Sequence, residues 1–327
     1  MTATQAVPDR PEPVLIQQRA PCPPVWVTEL PGLASAALVP GHPQALELRL
    51  ARGSRFSRLE IAFSGIQAMD ILTFQQTVAD AYRTIFDQLA SLPTPHPIRF
   101  WAFVPNIHAD LGAGLDRYMA FNAGRFAAYS AWCGGREALG RSVATGSAVG
   151  LDGDRLELHC LASCEPGTPV ENPRQIPAYR YSRRYGPLPP CFARATSAEG
   201  REPGRRRLLV GGTASIRGED SLYVGDVREQ TLETLRNLAS LVRSAVGAAE
   251  ATGDGLDDLG AWLSRFYELR VYRPRPETTG AILEILNRCF AGVGRIELLQ
   301  AELCRAELLV ELEGVADIEA LPSAAGA

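Results

Sequence analysis

Leu209-Val210-Gly211-Gly212-Thr213-Ala214-Ser215, followed by Gly218, Gly225-Asp226, Gln230 and Asn237, is the stretch whose reading decides the fold. Apolar residues lead into a pair of glycines, as in a buried strand over Arg207–Ile216. Without a Cβ, Gly211 and Gly212 allow a ligand to approach the backbone closely. The alternative is that they only ease a bulge. Asp226 fits the N-cap of a helix over Asp226–Ala248, with apolar steps at Leu232, Leu235, Leu238 and Val242.

Outward from this run the pattern is duplicated. In the second half, a strand over Pro190–Thr196 precedes it. Strand Tyr267–Arg273, helix Glu277–Phe290 and a closing pair, Ile296–Leu299 and Ala306–Glu313, follow it. In the first half, strands Ala45–Leu50 and Arg58–Phe63 lead to a helix over Phe74–Leu92 with its apolar face on Val78, Tyr82, Ile85 and Leu89. Pro93, Pro95 and Pro97 end that helix, and Ile98–Val104 resumes as a strand. Helix Leu115–Trp132 then precedes a hairpin of Ser142–Val149 and Arg155–Ala162, turned at Asp152-Gly153-Asp154. Two β-β-α-β-α-β units predict an α+β protein of duplicated ferredoxin-like layers, each with its helices on one sheet face. The expected boundaries are a loose arm over residues 1–25, a first unit over 26–164, a loop over 165–189 and a second unit over 190–327. That loop carries six prolines with many Arg and Tyr residues, too polar for core and too long for an idle connection.

Composition excludes several chemistries. All 33 basic residues are arginine. A P-loop, a pyridoxal phosphate Schiff base and a class I aldolase each need a lysine, so none of the three is available. The net charge of −4 offers no broad basic face to nucleic acid. No apolar run approaches the roughly 20 residues that cross a bilayer, and Met1–Pro13 lacks the apolar core of a signal peptide. The seven cysteines are odd in number and scattered, as in a reducing compartment, and a cytoplasmic location is expected. His159, Cys160 and Cys164 have ligand-like spacing, but strand alternation sends His159 and Cys160 to opposite faces. No metal and no cofactor are expected.

The Leu209–Asn237 run, with a closing segment over Leu303–Ala316 that contains Val310-Glu311-Leu312-Glu313, resembles the reactive-intermediate deaminase (YjgF-like) superfamily. A closer resemblance covers most of the chain. Tyr118–Arg125, Glu171-Asn172-Pro173-Arg174-Gln175, Tyr179-Arg180-Tyr181, Tyr185-Gly186-Pro187, Phe192-Ala193-Arg194-Ala195, Gly212-Thr213-Ala214-Ser215-Ile216 and Cys304-Arg305 with Glu311 follow the order of motifs in chorismatases. In particular the chain resembles the branch that makes 3-hydroxybenzoate, with 4-hydroxybenzoate in the bifunctional members linked to xanthomonadin pigment synthesis.

The resemblance implies a chorismatase fold of two YjgF-like units. It also implies cofactor-free conversion of chorismate to pyruvate and hydroxybenzoate. It places the proton donor at Glu311, among Leu308, Leu309, Val310 and Leu312, where partial desolvation favours the protonated form. Arg194 and Tyr185 are expected on the substrate, with Gly212 and Thr213. Leu188 stands where the family pattern often has Arg, leaving Arg184 or Arg295 as replacements. Ala214 and Cys304 are expected to set the product, with Cys304 matching the hydroxybenzoate branch. The expected partner is the small-molecule substrate, with no nucleic acid or membrane, and the expected state is a monomer. The competing readings are a chorismate hydrolase giving 3,4-dihydroxycyclohexa-1,5-dienoate, an imine deaminase, and a non-catalytic binding module.

Overall fold

The structure is a computed structural model that describes residues 13–18, 20–40, 46–200, 204–248 and 256–318. It opens on strand β1 (Val14–Gln18) and a single helical turn, α1 (Val25–Thr28). The first unit follows as β2 (Ala37–Leu38), β3 (Glu47–Ala51), β4 (Phe56–Ser64), α2 (Ile71–Ala90), β5 (His96–Pro105), α3 (Arg117–Trp132), α4 (Leu139–Ser142), β6 (Thr145–Leu151) and β7 (Arg155–Ser163). Asp70 and Asp116 cap α2 and α3 by accepting from the N–H groups of Thr73 and Met119. The second unit comprises β8 (Thr168–Val170), β9 (Ala195–Glu199), β10 (Arg206–Ala214), a short hairpin of β11 (Ile216–Arg217) and β12 (Asp220–Ser221), α5 (Val227–Ala245), α6 (Leu256–Leu263), β13 (Phe266–Arg273), α7 (Thr279–Cys289), β14 (Arg295–Gln300) and β15 (Glu311–Ile318). Asp226 caps α5, as its sequence predicts, through the N–H groups of Arg228 and Glu229.

The two sheets share one topology. Their orders are β2-β3-β4-β7-β5-β6 and β1-β14-β13-β15-β10-β9-β8. In each unit the last strand inserts between the second and third of its own five, so the repeat is β-β-α-β-α-β-β. This corrects the expected hairpin. β6 pairs in parallel with β5, and β7 pairs with β4 and β5, so Asp152-Gly153-Asp154 turns the chain without closing a ladder. β14 likewise pairs with β13 and not with β15. Strand character and turn residues are local signals, whereas the partner of a strand is set by which face each element must bury. Two boundaries also differ. The closing strand begins at Glu311 rather than Ala306. Val14–Gln18, expected within a loose arm, is a parallel edge strand on β14.

Alternation along the strands separates three apolar layers. Phe100, Ala102 and Val104 of β5 point outward to α2 and α3, while Leu208, Val210 and Leu312 point outward to the helices of the second unit. Between the sheets lie Trp26, Trp101, Phe103, Leu209, Tyr272, Leu299 and Val315. That inner layer also holds charge. Arg270 and Glu297 sit opposite each other on β13 and β14 and pair at 2.6 Å, each about 1% exposed at the side chain. Glu297 also accepts from the N–H of Val25 at 2.7 Å, tying the N-terminal segment to the second sheet.

Glu297→Gln takes from the Arg270 guanidinium the carboxylate that is hydrogen-bonded to it in that layer. Breaking one side of a buried pair costs about 3–5 kcal/mol, and urea unfolding is expected to show a loss of that order. A loss below about 1 kcal/mol would place the pair in the energetic class of surface bridges.

Candidate active site

The glycine pair of β10 creates the site by breaking a register. Val210 faces Gly314 and Thr213 faces Leu312, so Gly211 and Gly212 together oppose Glu313 in a β-bulge. The extra residue reverses the alternation and turns Gly212 and Ala214 inward, with Ala214 directly opposite Glu311. The glycines therefore do ease a bulge, and the space beside Gly212 is taken up by the Glu311 carboxyl. A Cβ on Gly212 would lie 2.0 Å from Glu311 Oε1, so this position has room for the carboxyl only because it is glycine.

Glu311, 4% exposed, lines a cavity of about 310 Å³. The inner face of β10 and the start of β15 form one side, with Cys304 and Arg305 beside them; Tyr118, Met119 and Ser147 come from the first unit. The segment between the units closes the mouth with Tyr181, Tyr185, Phe192 and Arg194. Burial pushes the Glu311 carboxyl up to about 8, with the nearby Glu313 carboxylate adding to the rise and Arg99 and Arg194 opposing it. Burial, and then the negative charge of Glu311, push the Cys304 thiol up to about 12. Cys304 is therefore a small neutral group on the cavity wall, not a thiolate. Among the described residues, no cluster of three or more His, Cys, Asp or Glu side chains is arranged to hold a metal ion.

The segment expected as a functional loop is held down along its length. Arg174 pairs with Glu233 at 2.6 Å and donates to Asn237 Oδ1, and Gln175 donates to the carbonyl of Ile216. These motif residues anchor the loop to α5 and to Ile216 of β11, itself a residue of the cavity wall. Beyond them, Arg194 donates to the Tyr181 hydroxyl at 2.6 Å and to the carbonyl of Ile176 at 3.0 Å. Its Nε is buried with no protein partner.

Of the residues singled out in the sequence, Glu311, Cys304, Ala214, Arg194, Tyr185, Gly212 and Arg184 line the cavity. Thr213 does not: the bulge turns it away, and its hydroxyl donates to the carbonyl of Gly211 at 2.9 Å. Arg295 is the second correction. It starts β14, two strands from β15, and pairs with Glu29 at 3.1 Å. Arg184 lies at the mouth, largely exposed and paired with Asp220 at 2.6 Å. Leu188 packs against the core of the first unit rather than the cavity. The cation missed in the sequence is Arg305, which lies 4.0 Å from the centre of the Tyr185 ring and donates to the carbonyl of Glu219 at 2.9 Å. Its place beside Cys304 in a quoted motif was the available signal. Tyr118 and Met119 stand at the start of the Tyr118–Arg125 motif, whereas nothing local in the sequence brings Ser147 to the cavity.

Comparison with known proteins gives consistent matches. Residues 44–162 match the family described as chorismatase FkbO/Hyg5-like, N-terminal. The chain is 33% identical to a 3-hydroxybenzoate synthase of Streptomyces hygroscopicus over 246 residues, 74% of this chain and 69% of that one. It is 33% identical to a chorismatase of Streptomyces rapamycinicus over 240 residues, 72% and 69% of the two chains. A crystal structure of a chorismatase superimposes with a TM-score of 0.69 at 25% identity, covering 84% of this chain and 78% of that one.

The raised proton affinity of Glu311 has a stability consequence of definite sign. The folded state holds this proton up to about pH 8, whereas an unfolded Glu releases it near 4.3. The wild type is therefore penalised as pH rises through that window. Glu311→Gln is expected to match wild-type stability near pH 5 and to exceed it near pH 8.5, by on the order of a few kcal/mol. Thermal unfolding at the two pH values measures this, and equal stabilities at the higher pH would refute it.

Proposed function

The chain belongs to the chorismatase family, and we propose that it is the enzyme that converts chorismate to pyruvate and 3-hydroxybenzoate. The observation that carries the proposal is the buried Glu311 carboxyl, still protonated near neutral pH, at the wall of a cavity that also presents Arg194 and Arg305. Chorismate is a dianion, and its enolpyruvyl ether breaks only after a proton reaches the methylene carbon. A carboxylic acid of raised pKa suits that step. In this reading Glu311 is the donor, and the ether carbon becomes an oxocarbenium centre. The arginines take the substrate carboxylates, for which a planar guanidinium is the matching donor. Tyr185 supports Arg305 through its ring.

Product choice follows from what reaches the oxocarbenium carbon. Captured by the ring's own hydroxyl, it leads to loss of pyruvate and aromatisation. Hydroxybenzoate and pyruvate together carry every atom of chorismate, so no water is consumed, and the proton released on aromatisation restores Glu311. Captured by water, it leads instead to the dihydroxycyclohexadienoate. Cys304, neutral and partly apolar, is assigned to excluding that water, with Ala214 shaping the wall opposite Glu311. From the sequence resemblance we extend the proposal to 4-hydroxybenzoate as a second product and to xanthomonadin pigment synthesis. A cytoplasmic location and a monomeric state belong to the same proposal.

Incubation with chorismate is expected to release pyruvate, and release no greater than background would overturn the proposal. Glu311→Gln keeps the size of the side chain and loses the transferable proton, so kcat is expected to fall by about 10²–10⁴-fold while chorismate still binds. Near-normal pyruvate release by that variant would remove Glu311 from the mechanism. Cys304→Ala is expected to retain part of the pyruvate release while chromatography shows hydroxybenzoate giving way to the dihydroxycyclohexadienoate. An unchanged product ratio would remove Cys304 from product control.

A further inference from the structure

Glu311 and Glu313 are two residues apart on β15 and so face the same way, into the layer between the sheets. Both are nearly inaccessible to water, yet their surroundings differ. Glu313 Oε1 accepts from the Trp101 indole at 2.9 Å, and Oε2 accepts from the Ser147 hydroxyl at 2.6 Å and from Arg99. All three donors belong to the first unit, on β5 and β6. Ser147 in turn accepts from the N–H of Gly212 at 2.8 Å, so the clamp reaches the bulge that houses Glu311. Among the described residues, no protein group donates to the Glu311 carboxyl.

Other titratable groups face this pair. Arg99 from β5, Arg194 from the segment ahead of β9, Tyr118 from α3 and Cys304 from the loop before β15 act on Glu311. From β13, Tyr272 stands opposite Glu311 and Arg270 opposite Glu313. Two carboxylates in one dry layer do not both ionise readily, and the donors decide which of them carries the charge. Here every clamping donor is on Glu313.

We propose that Glu313 is a positioning residue for the reaction: clamped by Arg99, Trp101 and Ser147 of the first unit, it keeps a fixed negative charge beside Glu311, so that Glu311 holds its proton until the substrate takes it. The proposal rests on Glu311 as the proton donor. It gives the first unit a direct part in the chemistry through the clamp.

Glu313→Gln removes the charge and keeps the volume. With Glu313 gone as an anion and Arg99 still present, Glu311 gives up its proton more easily. The alkaline limb of the kcat–pH profile is expected to move down by about one pH unit or more. A carbon-13 titration of the Glu311 carboxyl in ligand-free protein, assigned by its disappearance in Glu311→Gln, is expected to move by the same amount. An unmoved limb with an unmoved titration overturns the proposal, even if kcat falls at every pH, since a merely structural role lowers the rate without displacing the midpoint. Trp101→Phe carries the test if Glu313→Gln does not fold. It takes one donor from Glu313 and leaves that charge less neutralised, so both midpoints are expected to rise by about a few tenths of a unit. No change there overturns the proposal as well. The titration needs no turnover, so it decides the pairing even if Glu311→Gln were to disprove the donor role.

Discussion

Arg99 and Glu313 meet between the two sheets with side chains 2% and 3% exposed, one from each unit of the chain. Charges taken out of water hold their place only when paired and fully hydrogen-bonded, and this pair is completed by Trp101 and Ser147. The requirement fixes how the sheets lie on each other. β5 and β6 must bring their inner faces to β15, and that contact forms one side of the cavity. Arg270 with Glu297 meets the same demand farther along the layer and fastens the N-terminal segment there.

Duplication gives each unit its own helix-covered core, so the stability of each half is built on the outer faces. The inner faces are left to meet each other, and there Arg99 pairs with Glu313 and Arg270 with Glu297. Glu311 stays protonated instead, and the same burial that raises its proton affinity also destabilises the fold at alkaline pH. A destabilised group kept at a cavity wall is the usual signature of a functional carboxyl.

Much of the sequence motif turns out to hold backbone in place. Arg174 and Gln175 fasten the connecting loop to α5 and β11. Gln230 donates to the carbonyl of Glu307 and accepts from the N–H of Leu309, fixing the loop that presents Cys304 and Arg305. A position can therefore recur in a motif without touching substrate. Thr213 is such a position, its hydroxyl spent on the carbonyl of Gly211.

The α+β class, the duplicated order of elements, the cap at Asp226 and the helical periodicities are legible in the sequence, because these depend on neighbours within a few residues. It also singled out Glu311, Cys304, Ala214, Gly212, Arg194, Tyr185 and Arg184, all of which line one cavity. Tertiary structure alone decided the rest. Which strand lies beside β5 or β13 depends on faces buried by distant elements, so the hairpin expected at Asp152-Gly153-Asp154 did not form. The bulge at Gly211 and Gly212 turned Thr213 away from the cavity, and β13 set Arg295 two strands from Glu311. The Arg99–Trp101–Ser147 clamp on Glu313 exists only once the two units are packed together. Its partner lies in the other half of the chain, where no local spacing records it.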